Sequence, residues 1–140
     1  MLRQLSVFLE NKKGRLSEIT QILADAGIDI RASSIADTSD FGIFRLIVCD
    51  VDRAEALLRE AGMTVSSSDV IGVGIEDRPG GLARAARLLA DAGISVEYFY
   101  AFVSRSEDLA YVILRVEDCA RAEAVLAAGG LRVVSREDIF

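Results

Sequence analysis

The residues best placed to do chemistry fall in two short stretches, Glu10-Asn-Lys-Lys-Gly-Arg-Leu16 and Glu76-Asp-Arg-Pro-Gly-Gly-Leu82. Each stands between an alternating apolar run and a run with helical spacing. A glycine at that junction lets the chain turn tightly and lets a ligand approach the backbone. The unpaired N–H groups and positive end of the following helix then favour an anion, and a carboxylate fits. A plainer alternative is that Gly14 and Gly80 only make the strand-to-helix turn, with Asn11 or Asp77 as cap or turn former. Binding is the chemistry on offer, because the chain has no His to activate a nucleophile or carry a proton.

Other chemistries lack their parts. Cys49 and Cys119 are the two cysteines, and without histidine they supply too few ligands for zinc and no Cys-His pair, so they read as ordinary, mostly buried thiols. No other metal, and no cofactor, is implied. Gly72-Val-Gly74 lacks the third glycine of a dinucleotide fingerprint, and no glycine-rich loop ends in a phosphate-binding lysine. Sixteen Lys and Arg against 22 Asp and Glu leave a net charge of −6, with the basic residues dispersed, so a phosphate backbone would be repelled and nucleic acid is not a partner. With 51% hydrophobic residues the chain can build a core, yet no apolar run approaches the ~20 residues of a membrane span. The first residues lack signal-peptide order, so the expected location is the cytoplasm.

The elements that position the two stretches are themselves repeated. A shift from Leu16 to Leu82 superposes the stretches and also brings Leu23-Ala-Asp-Ala-Gly-Ile28 onto Leu89-Ala-Asp-Ala-Gly-Ile94. Arg53-Ala-Glu-Ala56 falls on Arg121-Ala-Glu-Ala124 with two further residues, which belong in a loop around Ser104 to Asp108. The chain therefore reads as a duplication, residues 1–69 and 70–140, without a linker of Pro, Gly or Ser. In each copy an alternating strand (Leu5, Val7, Leu9; Ile71, Val73, Ile75) leads to a helix (Leu16, Ile19, Leu23, Ala26; Leu82, Ala85, Leu89, Ala92) that stops at Gly27 or Gly93. Two strands, a second helix and a last strand complete the order βαββαβ twice. The expected fold is α+β: two ferredoxin-like units, each an antiparallel sheet with both helices on one face.

In these residues the chain resembles the ACT domain, whose signature is "E-N-x-P-G-x-L" followed by "G-I-N-I". The match recurs once per copy and covers essentially the whole chain. The resemblance implies a non-catalytic regulatory module that binds a small effector, an amino acid; a structural or protein-interaction module with empty loops is the alternative. It further implies a ligand held between the first loop of one domain and the start of strand two in its neighbour. Carried over, the first site comprises Asn11, Lys13, Gly14, Arg15 and Leu16 with Ser95, Glu97 and Tyr98. A second, weaker site comprises Asp77, Arg78, Gly80, Gly81 and Leu82 with Asp29. In that site Asp77 and Asp29 would repel the acidic end of an amino acid.

Side-by-side domains imply that the edge strands near Ile30–Ala36 and Val96–Phe102 pair, giving one eight-stranded antiparallel sheet. Tyr98 and Tyr100, counted with Val96, are expected on the helix side, as a pocket wall. The opposite, helix-free face collects Phe8, Ile35, Ile43, Ile47, Phe99, Ala101, Tyr111 and Ile113, with Gly72 and Gly74 offering close approach. Such an apolar face predicts a homodimer packed through it. With no output domain in the sequence, the expected recipient of the signal is another protein, an enzyme of amino-acid metabolism or a transcription regulator.

Overall fold

The structure is a computed structural model that describes residues 1–10, 12–37, 41–102 and 109–140. Asn11 and the loop expected around Ser104 to Asp108 lie outside the described residues. The elements are β1 (Leu2–Glu10), α1 (Arg15–Asp25), β2 (Ile30–Asp37), β3 (Phe41–Val48), α2 (Val51–Glu60) and β4 (Val65–Glu76). They continue with α3 (Gly81–Asp91), β5 (Tyr98–Phe102), β6 (Leu109–Arg115), α4 (Cys119–Ala128), β7 (Arg132–Val134) and α5 (Arg136–Ile139).

The fold is α+β with antiparallel strands, in two units: Arg3–Ser68, and Asp69–Phe140 together with Met1–Leu2. In the first unit the strands run β2-β3-β1, with the start of β4 beside β1, where the Phe8 amide donates to the Thr64 carbonyl at 2.9 Å. In the second they run β5-β6-β4, with β7 on the other edge of β4. The described strands number seven where eight were expected, because the last strand of the first copy and the first strand of the second are one 12-residue strand, β4. Residues 63–71 hold no glycine or proline, and their turn formers, Ser66-Ser67-Ser68-Asp69, run as strand within β4. The expected β2–β5 pairing is not among the described registers: β2 pairs with β3, and β5 with β6.

Alternation builds one core per unit. Leu5, Val7 and Leu9 of β1 and Phe44, Leu46 and Val48 of β3 pack with Ile19, Leu23, Ala54 and Leu58, so α1 and α2 cover one face. Ile71, Val73 and Ile75 pack likewise with Ala85, Leu89, Ala122 and Leu126 of α3 and α4. Side-chain caps start the second helix of each copy: the Arg53 amide donates to Asp50 at 3.2 Å, and the Arg121 amide to Asp118 at 3.1 Å.

The helix-free face differs from expectation in membership and exposure. Tyr98 and Tyr100 pair with Arg115 and Ile113, away from the helices, whereas Phe99 and Ala101 pair with the core residues Leu114 and Val112. Residues 95–97 are not strand, so alternation cannot be counted from Val96. Ile35 likewise pairs with the core residue Phe44, because the β2 register shifts between Ile30 and Ala32. Ile47, Tyr111 and Ile113, at 2%, 8% and 0% exposure, are already buried in the single chain. A Cβ on Gly72 would meet Val134 Cγ2 at 2.4 Å and Leu2 Cδ1 at 2.9 Å, so the space over that glycine is filled by its own unit. The surface expected to pack a homodimer is reduced accordingly.

Candidate ligand-binding site

Both strand-to-helix loops turn on a glycine in the left-handed region, Gly14 at φ 90° and Gly80 at φ 93°, a conformation that costs an L-residue roughly 1–2 kcal/mol. The glycine is the N-cap in each case. Its carbonyl opens the helix by accepting from the Glu18 or Arg84 amide, both at 3.0 Å. Among the described residues neither helix start receives a side-chain cap, in contrast to α2 and α4. Asp77 is exposed and does not cap α3. The Arg15 and Gly81 amides donate to the Lys12 and Arg78 carbonyls at 3.3 and 3.0 Å, and the next first-turn amides meet the two loops with no side-chain cap among the described residues.

The loops differ at the residue after the glycine. Gly81 is buried, and a Cβ there would fall 2.0 Å from the Glu76 carbonyl oxygen. In the first loop the same place is held by Arg15, whose side chain reaches Glu10 at 3.8 Å and Glu18 at 3.1 Å. Lys12 lies 2.8 Å from Glu10. That hydrogen bond, with the charges of Lys12 and Arg15, holds the Glu10 carboxyl below the usual carboxylate range. In the second loop Arg78 pairs with Glu76.

Of the expected residues, Lys13, Gly14 and Leu16 are exposed and Arg15 half-exposed around the first loop, and Arg78, Gly80 and Leu82 are exposed around the second. Asp29 stands past the far end of α1, paired with Arg31 at 3.4 Å. Eleven residues of helix, about 16 Å at ~1.5 Å per residue, separate it from Gly14. Ser95 and Glu97 stand similarly past the far end of α3, exposed, with Glu97 3.4 Å from Arg115; Tyr98 is half-buried. Within a unit, then, the loop and the residues opening the second strand are not brought together.

A cleft of about 230 Å³ lies beside the first loop, lined by Phe8, Leu9 and Glu10 of β1, Arg15, Phe41, and Gly62, Met63 and Thr64. The Phe8 and Phe41 rings stand 5.3 Å apart, tilted by 36°. Register makes this wall: Phe8 opposes Ile43, and Glu10 opposes Phe41. Sequence reasoning did not assemble these residues. Phe8 was legible as a helix-free-face residue, but its neighbours come from β3 and the entry to β4, more than 30 positions away.

No membrane-length apolar helix occurs, and no cluster of three or more candidate metal ligands is found among the described residues. The family model described as "ACT domain pair" matches residues 1–140. No curated protein matches the chain. The crystal structure of protein BT0572 from Bacteroides thetaiotaomicron is similar at 36% identity and TM-score 0.91, over 99% of this chain and 94% of that one. The ligand-free regulatory subunit of aspartate kinase from Thermus thermophilus shares the fold at 19% identity and TM-score 0.65, over 91% of both chains. Its counterpart from Thermus flavus does so at 22% identity and TM-score 0.63, over 91% of this chain and 90% of that one.

Proposed function

The chain belongs to the ACT domain pair family, and on that premise we propose that it is a regulatory module of two ACT domains, residues 1–69 and 70–140, that binds an amino acid effector and catalyses nothing. The observation that carries this reading is the pair of strand-to-helix loops, each turned on a left-handed glycine and each meeting a helix start that no described side chain caps. Backbone N–H donors and a helix dipole suit the carboxylate that every amino acid carries.

The first loop, with Asn11, Lys13, Gly14, Arg15 and Leu16, is the stronger site. Arg15 adds a guanidinium, which matches a carboxylate with paired donors. The second loop has Gly81 in that place and an acidic Asp77 beside it, so it binds more weakly. The signal leaves through a surface to a partner protein, an enzyme or regulator of amino-acid metabolism. The fold shared with regulatory subunits of aspartate kinase supports an enzyme partner.

Isothermal titration of the full chain against the twenty amino acids tests the reading. At least one is expected to bind; Gly14→Val abolishes binding, and Asn11→Ala weakens it by about 1–3 kcal/mol by leaving a polar group unmatched. Absence of heat and of thermal stabilisation with every amino acid refutes it and leaves the interaction-scaffold alternative, which the exposed Phe8, Ile35, Phe41 and Phe99 favour.

A further inference from the structure

Resting on the reading of the chain as an amino-acid-binding module, we infer that the cleft beside the first loop is an effector site selective for free α-amino acids with apolar side chains. Its described lining residues all belong to the unit Arg3–Ser68. Three observations converge on that ligand class.

The first is size. About 230 Å³ falls below the ~300–1,000 Å³ of pockets for drug-sized ligands, and it suits a single amino acid. The second is charge. Glu10 and Arg15 stand together on the rim with opposite signs, 3.8 Å apart, and both are open to solvent at 63% and 36% side-chain exposure. Arg15 can give the N–H donors not used by Glu10 and Glu18 to a carboxylate, and Glu10, whose Oε2 faces Lys12 at 2.8 Å and Arg15 at 3.8 Å, can accept from an ammonium at its other oxygen. A zwitterion thus matches both rim groups, whereas a simple acid or amine leaves one of them facing its own charge or nothing.

The third is the wall. Phe8 and Phe41, 49% and 42% exposed, line the cleft with their rings 5.3 Å apart, and Met63, partly buried against the core of the same unit, adjoins them. The Thr64 carbonyl is already engaged by the Phe8 amide at 2.9 Å. A polar side chain entering between the two rings would exchange water for apolar contact and lose hydrogen bonds.

The experiment is calorimetric titration of the full chain with leucine, phenylalanine, serine and aspartate, and with two fragments of leucine, isoamylamine and 4-methylpentanoate. Leucine or phenylalanine is expected to bind at least about tenfold more tightly than serine or aspartate, and each fragment to lose at least about tenfold relative to leucine. Phe41→Ser is expected to weaken leucine by about tenfold or more and Phe41→Leu by less than about threefold, with thermal melts of both variants checking that the exposed position does not alter folding. Preference for a polar amino acid overturns the selectivity. Leucine binding that is indifferent to Phe41→Ser and Met63→Ser but abolished by Gly14→Val overturns the cleft and leaves the proposed function standing. Failure of every amino acid to bind overturns both.

Discussion

Gly81→Ala places a methyl group where the chain has no room. The new Cβ would lie 2.0 Å from the Glu76 carbonyl oxygen and 3.1 Å from its carbon, both backbone atoms that cannot swing aside. Cβ atoms essentially never approach other heavy atoms closer than 3.0 Å, so the strand end must recede from the helix by at least 1.0 Å (3.0 Å less 2.0 Å). That oxygen also accepts from the Arg78 amide at 2.9 Å, and the residue is paired with Leu109 at the end of the β4–β6 ladder, so both are strained by the retreat. Overpacking of this kind costs roughly 1–3 kcal/mol and a weakened hydrogen bond about 0.5–1.5 kcal/mol, against about 1 kcal/mol gained by Ala over Gly in a helix. The net expectation is a loss of about 2 kcal/mol, or roughly 8–16 °C in melting temperature for a domain of this size. The assay is built into the composition. The chain has no Trp, and its three tyrosines, Tyr98, Tyr100 and Tyr111, all lie in the unit that contains Gly81, so tyrosine fluorescence reports that unit alone. Arg15→Ala, at the corresponding position of the first copy, already has a Cβ and is the control expected to leave the transition nearly unmoved. A Gly81→Ala protein that melts at or above the parent temperature would refute the reasoning.

Removing the side-chain caps with Asp50→Ala or Asp118→Ala is expected to cost about 0.5–2 kcal/mol each in urea unfolding; a change below about 0.3 kcal/mol in both would show that the caps are replaced by water. The C-terminal helix α5 carries a pH dependence. The Ser135 amide at 2.8 Å, then the Ser135 hydroxyl at 3.0 Å and the Arg132 guanidinium at 2.8 Å, hold the Asp138 carboxyl below its ordinary value. Because the folded value is the lower one, the cap is intact above the ordinary carboxylate range and is lost as pH falls through the depressed value. The Asp138 carboxyl followed by NMR is expected to titrate below an ordinary aspartate, and Ser135→Ala to raise its midpoint; an ordinary midpoint in the parent protein would contradict the capping geometry.

How much of this was legible before folding depends on whether the signal is local. The duplication, the βαββαβ order and the helix limits follow from residue types a few positions apart. Leu5, Val7 and Leu9 alternate, Ile19 and Leu23 recur at helical spacing, and Gly14 and Gly27 bracket α1. The loops also declared themselves, because a left-handed turn needs glycine and shows it. What the sequence could not contain is register. Where alternation was interrupted, at the shift between Ile30 and Ala32 and at the irregular residues 95–97, counting by twos sent Ile35, Tyr98, Phe99 and Tyr100 to the wrong face. The merger of two expected strands into β4 was likewise hidden, since a missing turn is visible only when the chain is seen to run straight on. The cleft is the clearest case. Phe8, Glu10 and Arg15 are near in sequence, but Phe41 and Met63 join them only through the β1–β3 ladder and the approach to β4, contacts decided by packing of the whole sheet rather than by any window of residues.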